Sequence, residues 1–275
     1  YLLKIGMLMI ITKLQGGLGN QLFQWAFGKA LSISLNDDEY LDDSFYADQR
    51  GITKRSFELN KFSNAKCAFL YYDILKNIVR MDEINDIFYA DKTLQLLEWK
   101  KYNQTCNYHL NGYWQSEKYF KKYENVIRQQ LSMTENEKLS FQNIIDENSI
   151  SLHLRRTDYL TSNGYHPVQD ISYFSNGIDI IGDYNKIYVF SDEIEWCKTN
   201  LNFPRMVFME GYSNIEDLRL MSLCKYNIIA NSSFSWWAAW LNENKDKKVI
   251  APKQWFGPQA NLNEQDIVPE TWIKI

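Results

Sequence analysis

Three runs in the second half of this 275-residue chain read as short buried strands, each ending in small polar or charged residues, and that repetition points to an α/β fold with a parallel sheet. Ile150, Leu152 and Leu154 alternate with Ser151, His153 and Arg155, the period of a strand with one apolar and one polar face. Arg155-Arg-Thr-Asp158 closes that run, and the last two residues favour a turn. Lys186-Ile-Tyr-Val-Phe190 leads into Ser191-Asp192, and Tyr226-Asn-Ile-Ile-Ala230 leads into Asn231-Ser-Ser-Phe-Ser235 ahead of an apolar helix over 236–241. Ligands of open α/β sheets sit beyond the carboxyl ends of the strands, so Arg, Asp and Ser groups at three such ends argue for one shared site. Each group also has a purely structural use. The arginines pair with carboxylates such as Asp158, and Ser191, Asp192, Ser232 and Ser233 cap helices.

The arginine fork suits a phosphate or diphosphate, and His153 and Asp158 stand beside it as proton acceptors. In the first half, residues 8–13 read as a buried strand. The loop Gln15-Gly-Gly-Leu-Gly-Asn-Gln21 follows, then a helix carrying Leu22, Phe23, Trp25, Ala26 and Ala30. Gly17 and Gly19 either let the backbone approach an anion at the helix start or simply make a tight turn. Their spacing is not G-x-G-x-x-G, which argues against a dinucleotide-dependent oxidoreductase. Gly112 to Phe120, with Trp114, is a packed helix start or an aromatic surface for sugar, leading into a helix that reaches about Leu131. Residues 134–147 form a charged helix, and a soft boundary there divides the chain into 7–145 and 146–275, with a tail able to cross back to the first domain. Asp217 opens a helix over 214–222 as a cap or first-turn charge.

A net charge of -4, with both signs mixed along the chain, offers no basic stripe for nucleic acid. Cys67, Cys106, Cys197 and Cys224 lie far apart without metal-site or disulfide spacing, which suits a reducing cytoplasm. No apolar run approaches the ~20 residues of a membrane span. The chain opens on Tyr1 ahead of Met7 and Met9, and residues 1–6 are set aside from the fold reading.

With these motifs in view the chain resembles the α-1,2-fucosyltransferases of glycosyltransferase family 11 over nearly its full length. The resemblance rests on Gly16-Gly-Leu-Gly-Asn-Gln-Leu-Phe-Gln24, Gly112-Tyr-Trp-Gln-Ser-Glu-Lys-Tyr-Phe120, His153-Leu-Arg-Arg-Thr-Asp158, Phe190-Ser-Asp192, and Met221-Ser-Leu-Cys224 through Ala230-Asn-Ser-Ser-Phe-Ser-Trp-Trp237. It implies a GT-B fold, two Rossmann-like domains facing across a cleft, with GDP-fucose held mainly by the C-terminal one. It also implies inverting transfer of L-fucose from GDP-β-L-fucose to the 2-hydroxyl of a terminal β-galactoside. Arg155 and Arg156 then contact the diphosphate and fucose, Asn231, Ser232, Ser233 and Phe234 line the phosphates and ribose, Asp217 reads guanine, and Asp192 lies near the nucleoside.

Gly17, Gly19 and Asn20 close over the donor from the first domain, and Trp114 and His166 stand on the acceptor side. Either His153 or Asp158 is the base, or Asp158 orients Arg156. No D-x-D triplet occurs, so neither a metal nor another cofactor is expected. Within the loop over 163–169, Pro167 stands where many members carry His-Gly, which bears on acceptor preference. The implied partners are GDP-L-fucose and a galactose-terminated oligosaccharide or lipid-linked glycan of lipopolysaccharide or capsule synthesis. The implied place is the bacterial cytoplasm, with at most peripheral contact at the inner face of the membrane. Two readings compete: a GDP-sugar-binding or carbohydrate-binding protein without turnover, and a fucosyltransferase of other linkage.

Overall fold

The computed structural model describes residues 8–50, 53–65, 67–75, 81–86, 90–103, 106–141, 143–162 and 164–275; residues 1–6 and Asn163 lie outside these. The chain divides into two compact units, Tyr1–Ser132 and Met133–Ile275. The border falls ahead of the expected 145/146. The charged helix, here Glu135–Phe141, goes with the second unit, where Glu137 approaches Arg219 at 3.4 Å.

The first unit holds strands β1 (Met9–Lys13), β2 (Asp38–Asp42), β3 (Met81–Asn85) and β4 (Asn107–Asn111) in the order β2-β1-β4-β3, all parallel. The helix Leu18–Leu35 leaves β1 through the glycine loop. Gly16 turns that loop at φ +80, where a Cβ would also lie 2.7 Å from the Asn20 amide, so only glycine fits without strain. Two fully buried glutamines one turn apart fasten the loop. Gln21 donates to the carbonyls of Gly16 and Ser56 and accepts from the amides of Glu58 and Leu59. Gln24 accepts from Gln15 N–H and donates to the Gly112 carbonyl beyond β4. Buried amides persist only when their donors and acceptors are matched, so these two side chains specify the loop rather than decorate it.

The second unit holds β5 (Ser149–Leu154), β6 (Lys186–Ser191), β7 (Met206–Phe208), β8 (Tyr226–Ile228), β9 (Val249–Ala251) and β10 (Ile273–Lys274). All are parallel, in the order β10-β9-β8-β5-β6-β7. That is the Rossmann order, with β5 as the first strand and the reversal of direction between β5 and β8. The tail, expected to be able to cross back, adds β10 to the edge of this second sheet.

All six residues of β5 are buried, so its polar positions do not face water as the alternation predicts. A central parallel strand is covered on both faces, and the alternation here separates an apolar cover from a polar one. Ile150, Leu152 and Leu154 pack with Phe174 and Ile178 of the helix Ile171–Ile181. On the other face Ser151 accepts from Asn227 Nδ2 at 2.7 Å, and Asn227 also donates to the Met221 carbonyl. Asn242 Nδ2 in turn donates to Asn227 Oδ1 at 2.8 Å. Asn227→Ala should leave these groups without partners and lower unfolding free energy by about 2–4 kcal/mol. Denaturant melts of the variant and the parent protein check this; a loss below ~0.5 kcal/mol would show the network to be dispensable.

Candidate functional site

The residues after β5 do not diverge. Arg156 adopts φ -133, ψ -53, and the single turn Thr157–Leu160 folds the chain back over the strand end. Asp192, just past β6, is the bracket that holds this turn. Its carboxylate accepts from Arg156 N–H at 3.0 Å, from Thr157 N–H at 3.2 Å and from the Thr157 hydroxyl, and it lies 3.2 Å from Arg155 Nε. Both oxygens are thus engaged inside the loop.

The two arginines are not equivalent. Arg155 is bidentate on Asp158, with Nε and Nη2 at 2.8 and 2.9 Å, so Asp158 orients Arg155 rather than Arg156. Arg156 donates from Nε to Glu193 at 2.8 Å and lays its guanidinium 3.6 Å above the Trp196 ring. Neither Glu193 nor Trp196 stood out in the sequence. The only signal was their spacing of one helical turn behind Ser191-Asp192.

His153, 5% exposed, lies under Phe234 with ring centroids 5.8 Å apart, and its Nδ1 makes no hydrogen bond. Burial, then the Arg155 charge, push its pKa down to about 4, against a smaller opposing pull from Asp192. The imidazole is therefore neutral, and only weakly basic, at physiological pH.

Beyond β8, Asn231 ties the site to its surroundings. Its Nδ2 donates to the Trp255 carbonyl, and its own carbonyl accepts from the Tyr159 hydroxyl. Ser232 stands at the N-cap of the helix Ser233–Leu241, yet its hydroxyl does not cap. The opening of this helix thus combines partial positive charge with Ser233 and Phe234 at its surface. His166 stacks on Tyr159 at 4.6 Å and 15°, and its buried Nδ1 makes no hydrogen bond. Burial lowers its pKa, with the charges of Asp158 and Arg155 acting on it in opposite senses, which places it beside the arginine turn.

Asp217 differs from the other carboxylates. The helix Asn214–Leu223 is already capped, because Ser213 and Glu216 form a reciprocal capping box. Asp217 is thus not needed as a cap. Its Oδ1 is buried without a hydrogen-bond partner, and burial, with the nearby Glu216 charge, raises its pKa to about 7. A carboxyl with a buried, unbonded oxygen on a well-made helix start is costly to the fold, and such groups cluster where ligands bind.

In the first unit Asn20 Oδ1 accepts from Gln115 Nε2 at 2.8 Å, joining the glycine loop to the motif beyond β4. Gly17 is the helix N-cap, without a side-chain bond, and the Arg55 side chain passes over it, 3.9 Å from where a Cβ would stand. Gly19 is buried within the first turn. Trp114 is not a sugar platform. It is 0% exposed, packed on Phe27 and Tyr119, and held at φ 54 by Asp86, which accepts from its N–H. Its neighbour Tyr113, 45% exposed, is the aromatic that this motif turns outward. Among the described residues no group of three or more His, Cys, Asp or Glu is placed to hold a metal ion, and no helix is long and apolar enough to cross a membrane. No disulfide links the four cysteines.

The sequence matches Glycosyl transferase family 11 over residues 9–275. It is 33% identical to an Escherichia coli α-1,2-colitosyltransferase across 98% of this chain and 99% of that protein. It is also 33% identical to the E. coli O-antigen biosynthesis glycosyltransferase WbnK, across 95% of this chain and 99% of that one. Among solved structures, POFUT1 in complex with GDP-fucose aligns with a TM-score of 0.50 at 11% identity, covering 88% of this chain and 97% of that one, a likeness of fold. With its two parallel-sheet α/β units of the GT-B type, this chain belongs to glycosyltransferase family 11 and is a glycosyltransferase.

Proposed function

We propose that the protein transfers L-fucose, with inversion and without a metal, from GDP-β-L-fucose to the 2-hydroxyl of a terminal β-galactoside. The observation that carries this reading is the arginine turn at the switch point of the second sheet, inside a chain of this family. Departure of GDP places negative charge on the β-phosphate as oxocarbenium character grows on the sugar. Guanidiniums there stabilise the transition state more than the bound donor. Arg156 meets the diphosphate directly, and the start of the helix Ser233–Leu241 supports the same charge.

Arg155 begins on Asp158. A diphosphate that recruits Arg155 competes with Asp158 and makes its carboxylate available to the attacking hydroxyl, so the Asp158 base is coupled to donor binding. His153, held neutral, accepts a hydrogen bond without taking the proton outright. Asp217 reads guanine, whose edge offers two adjacent N–H donors to one carboxylate, a pattern adenine lacks. His166 faces the acceptor, and Tyr113 replaces Trp114 as the exposed aromatic of the first unit. At the turn two guanidiniums stand against Asp158, Asp192 and Glu193, and in this reading they, not a metal, meet the diphosphate.

A second reading concerns the donor. The E. coli colitosyltransferase is similar over almost the entire chain, and colitose is L-fucose without its 3-hydroxyl, so GDP-colitose is the alternative sugar nucleotide. GDP release in EDTA, from GDP-fucose and from GDP-colitose, with lactose as acceptor and the product linkage read by NMR, separates the readings. Lactose-dependent release from GDP-fucose with a 2-linked product is expected. Preference for GDP-colitose would move the assignment to the second donor, and loss of activity in EDTA restored by manganese would overturn metal-independent transfer. Arg156→Ala should retain the fold and lose about 10²–10³ in kcat; a rate near that of the parent protein would remove the diphosphate assignment.

Asp217→Asn should act in opposite directions on stability and binding. A carboxyl whose folded pKa is raised stabilises the fold fully below its unfolded value and loses that contribution as pH rises through about 7. The asparagine variant should therefore melt about 3 °C or more above the parent at pH 8, with the gap narrowing as pH falls toward about 4. Guanine needs the ionised form, so GDP affinity of the parent should fall about tenfold per pH unit below 7, and the variant should bind GDP no better than ADP. Retained GDP preference in Asp217→Asn would place the guanine elsewhere.

A further inference from the structure

We infer that Glu193 and Trp196 are positioning residues that hold Arg156 in the one orientation able to meet the donor's diphosphate, an inference that rests on the diphosphate reading above. An arginine carries about 2 kcal/mol of rotamer entropy, and a terminal guanidinium at a strand end would sample many orientations. Here three contacts remove that freedom. The Arg156 backbone N–H is bound by Asp192 at 3.0 Å, Nε donates to Glu193 at 2.8 Å, and the guanidinium carbon lies 3.6 Å above the Trp196 ring. The ring is itself fixed, because Trp196 packs against the hydrophobic core beneath the sheet.

What the clamp leaves unused is as informative as what it takes. Among the described residues only Nε of the Arg156 guanidinium donates a hydrogen bond, and its two terminal nitrogens donate none. The side chain is 15% exposed, so most of its desolvation has already occurred in the folded protein. A planar cation stacked on one face, anchored at one edge and open at the other two nitrogens matches the bidentate geometry of a phosphate. Arg155, by contrast, spends both Nε and Nη2 on Asp158. The clamp arises from Glu193 at the N-cap of the helix Ile194–Asn200 and Trp196 one turn later, so a single short element beyond β6 sets an arginine that belongs to β5.

Two measurements test this. The Arg156 Nε–H resonance, assigned by its loss in Arg156→Ala, should exchange with solvent about tenfold more slowly in the parent than in Glu193→Gln. Equal exchange rates would overturn the clamp whatever the ligand proves to be. Calorimetric titration with GDP should then show Trp196→Leu and Glu193→Gln each weakening binding about fivefold, with Trp196→Phe, which keeps an aromatic face, within threefold of the parent. Arg156→Ala should weaken it tenfold or more, and adding Trp196→Leu to it should cost nothing further. An additive loss in the double variant would make Trp196 merely structural and overturn the inference. GDP binding unaffected by Arg156→Ala would instead sink the diphosphate reading, leaving the exchange rates to decide the clamp alone.

Discussion

Everything at the arginine turn depends on the parallel pairing of β5 between β6 and β8. The register sets His153 opposite Phe190 and Leu154 opposite Ser191, so the residue after Leu154 emerges next to Asp192 without any long-range search. Pairing with β8 brings Leu152 opposite Ile228, and the chain beyond Ile228 reaches Asn231 and Ser232 on the other flank. Parallel strands need long crossovers, so this juxtaposition links segments far apart in sequence and can form only when the sheet is complete. The site is therefore as cooperative as the fold. The Asn227 network, which ties the polar face of β5 to two helices, supports the geometry of the arginine turn although it touches none of the arginines.

The two units solve the same positional problem twice. In the first sheet β1 and β4 are neighbours, and the two motifs of that half follow those two strands. In the second sheet β5 and β8 stand in the same relation, and the arginine and serine motifs follow them. In the second sheet β5 leads on to β6 and β8 to β9 on opposite sides, and a crevice opens where adjacent strands send their continuations in opposite directions, which is why the arginine and serine motifs collect there. The means of fastening differ. The first unit uses buried glutamines and one left-handed glycine, neutral devices that hold backbone amides in place. The second uses two guanidiniums against Asp158, Asp192 and Glu193, which hold cations in place at the cost of partly neutralising them.

That neutralisation explains how much of the site was legible in the sequence. Strand-end chemistry and the family motifs identified Arg155, Arg156, Ser232 and Ser233 as neighbours, because parallel-sheet topology is encoded in short apolar runs and what ends them. They did not reveal which arginine is locked and which is open, since that depends on the φ, ψ of Arg156 and on Glu193 and Trp196, whose types are unremarkable on a helix. The partners of Asp192 were not visible in the sequence either; they are two amides and a hydroxyl of the turn after β5. Trp114 looked like a sugar platform for a similar reason. Aromatic residues beside polar ones read as surface, and only the collision a Cβ at Gly112 would make with Asp86, at 2.3 Å, shows how tightly the chain folds Trp114 inward.

Asp217 shows the opposite case, in which sequence left the role open between cap and charge and the structure narrowed it. The capping box formed by Ser213 and Glu216 takes over the work a first-turn carboxylate would do, and Asp217 is left half-buried with one oxygen unbonded. Its desolvation has been incurred during folding, so a ligand that supplies two N–H donors recovers hydrogen bonds without a matching loss of water contacts. Under the proposed guanine reading, the same residue weakens the empty protein and sharpens its choice of nucleotide. Arg156 follows that logic with the sign reversed: a cation already stripped of most of its water and of its rotamer freedom gains more from a phosphate than a solvated lysine would. If the proposed donor is right, a nucleoside diphosphate, with donors at one end and negative charge at the other, would relieve both the unbonded carboxylate and the open guanidinium at once.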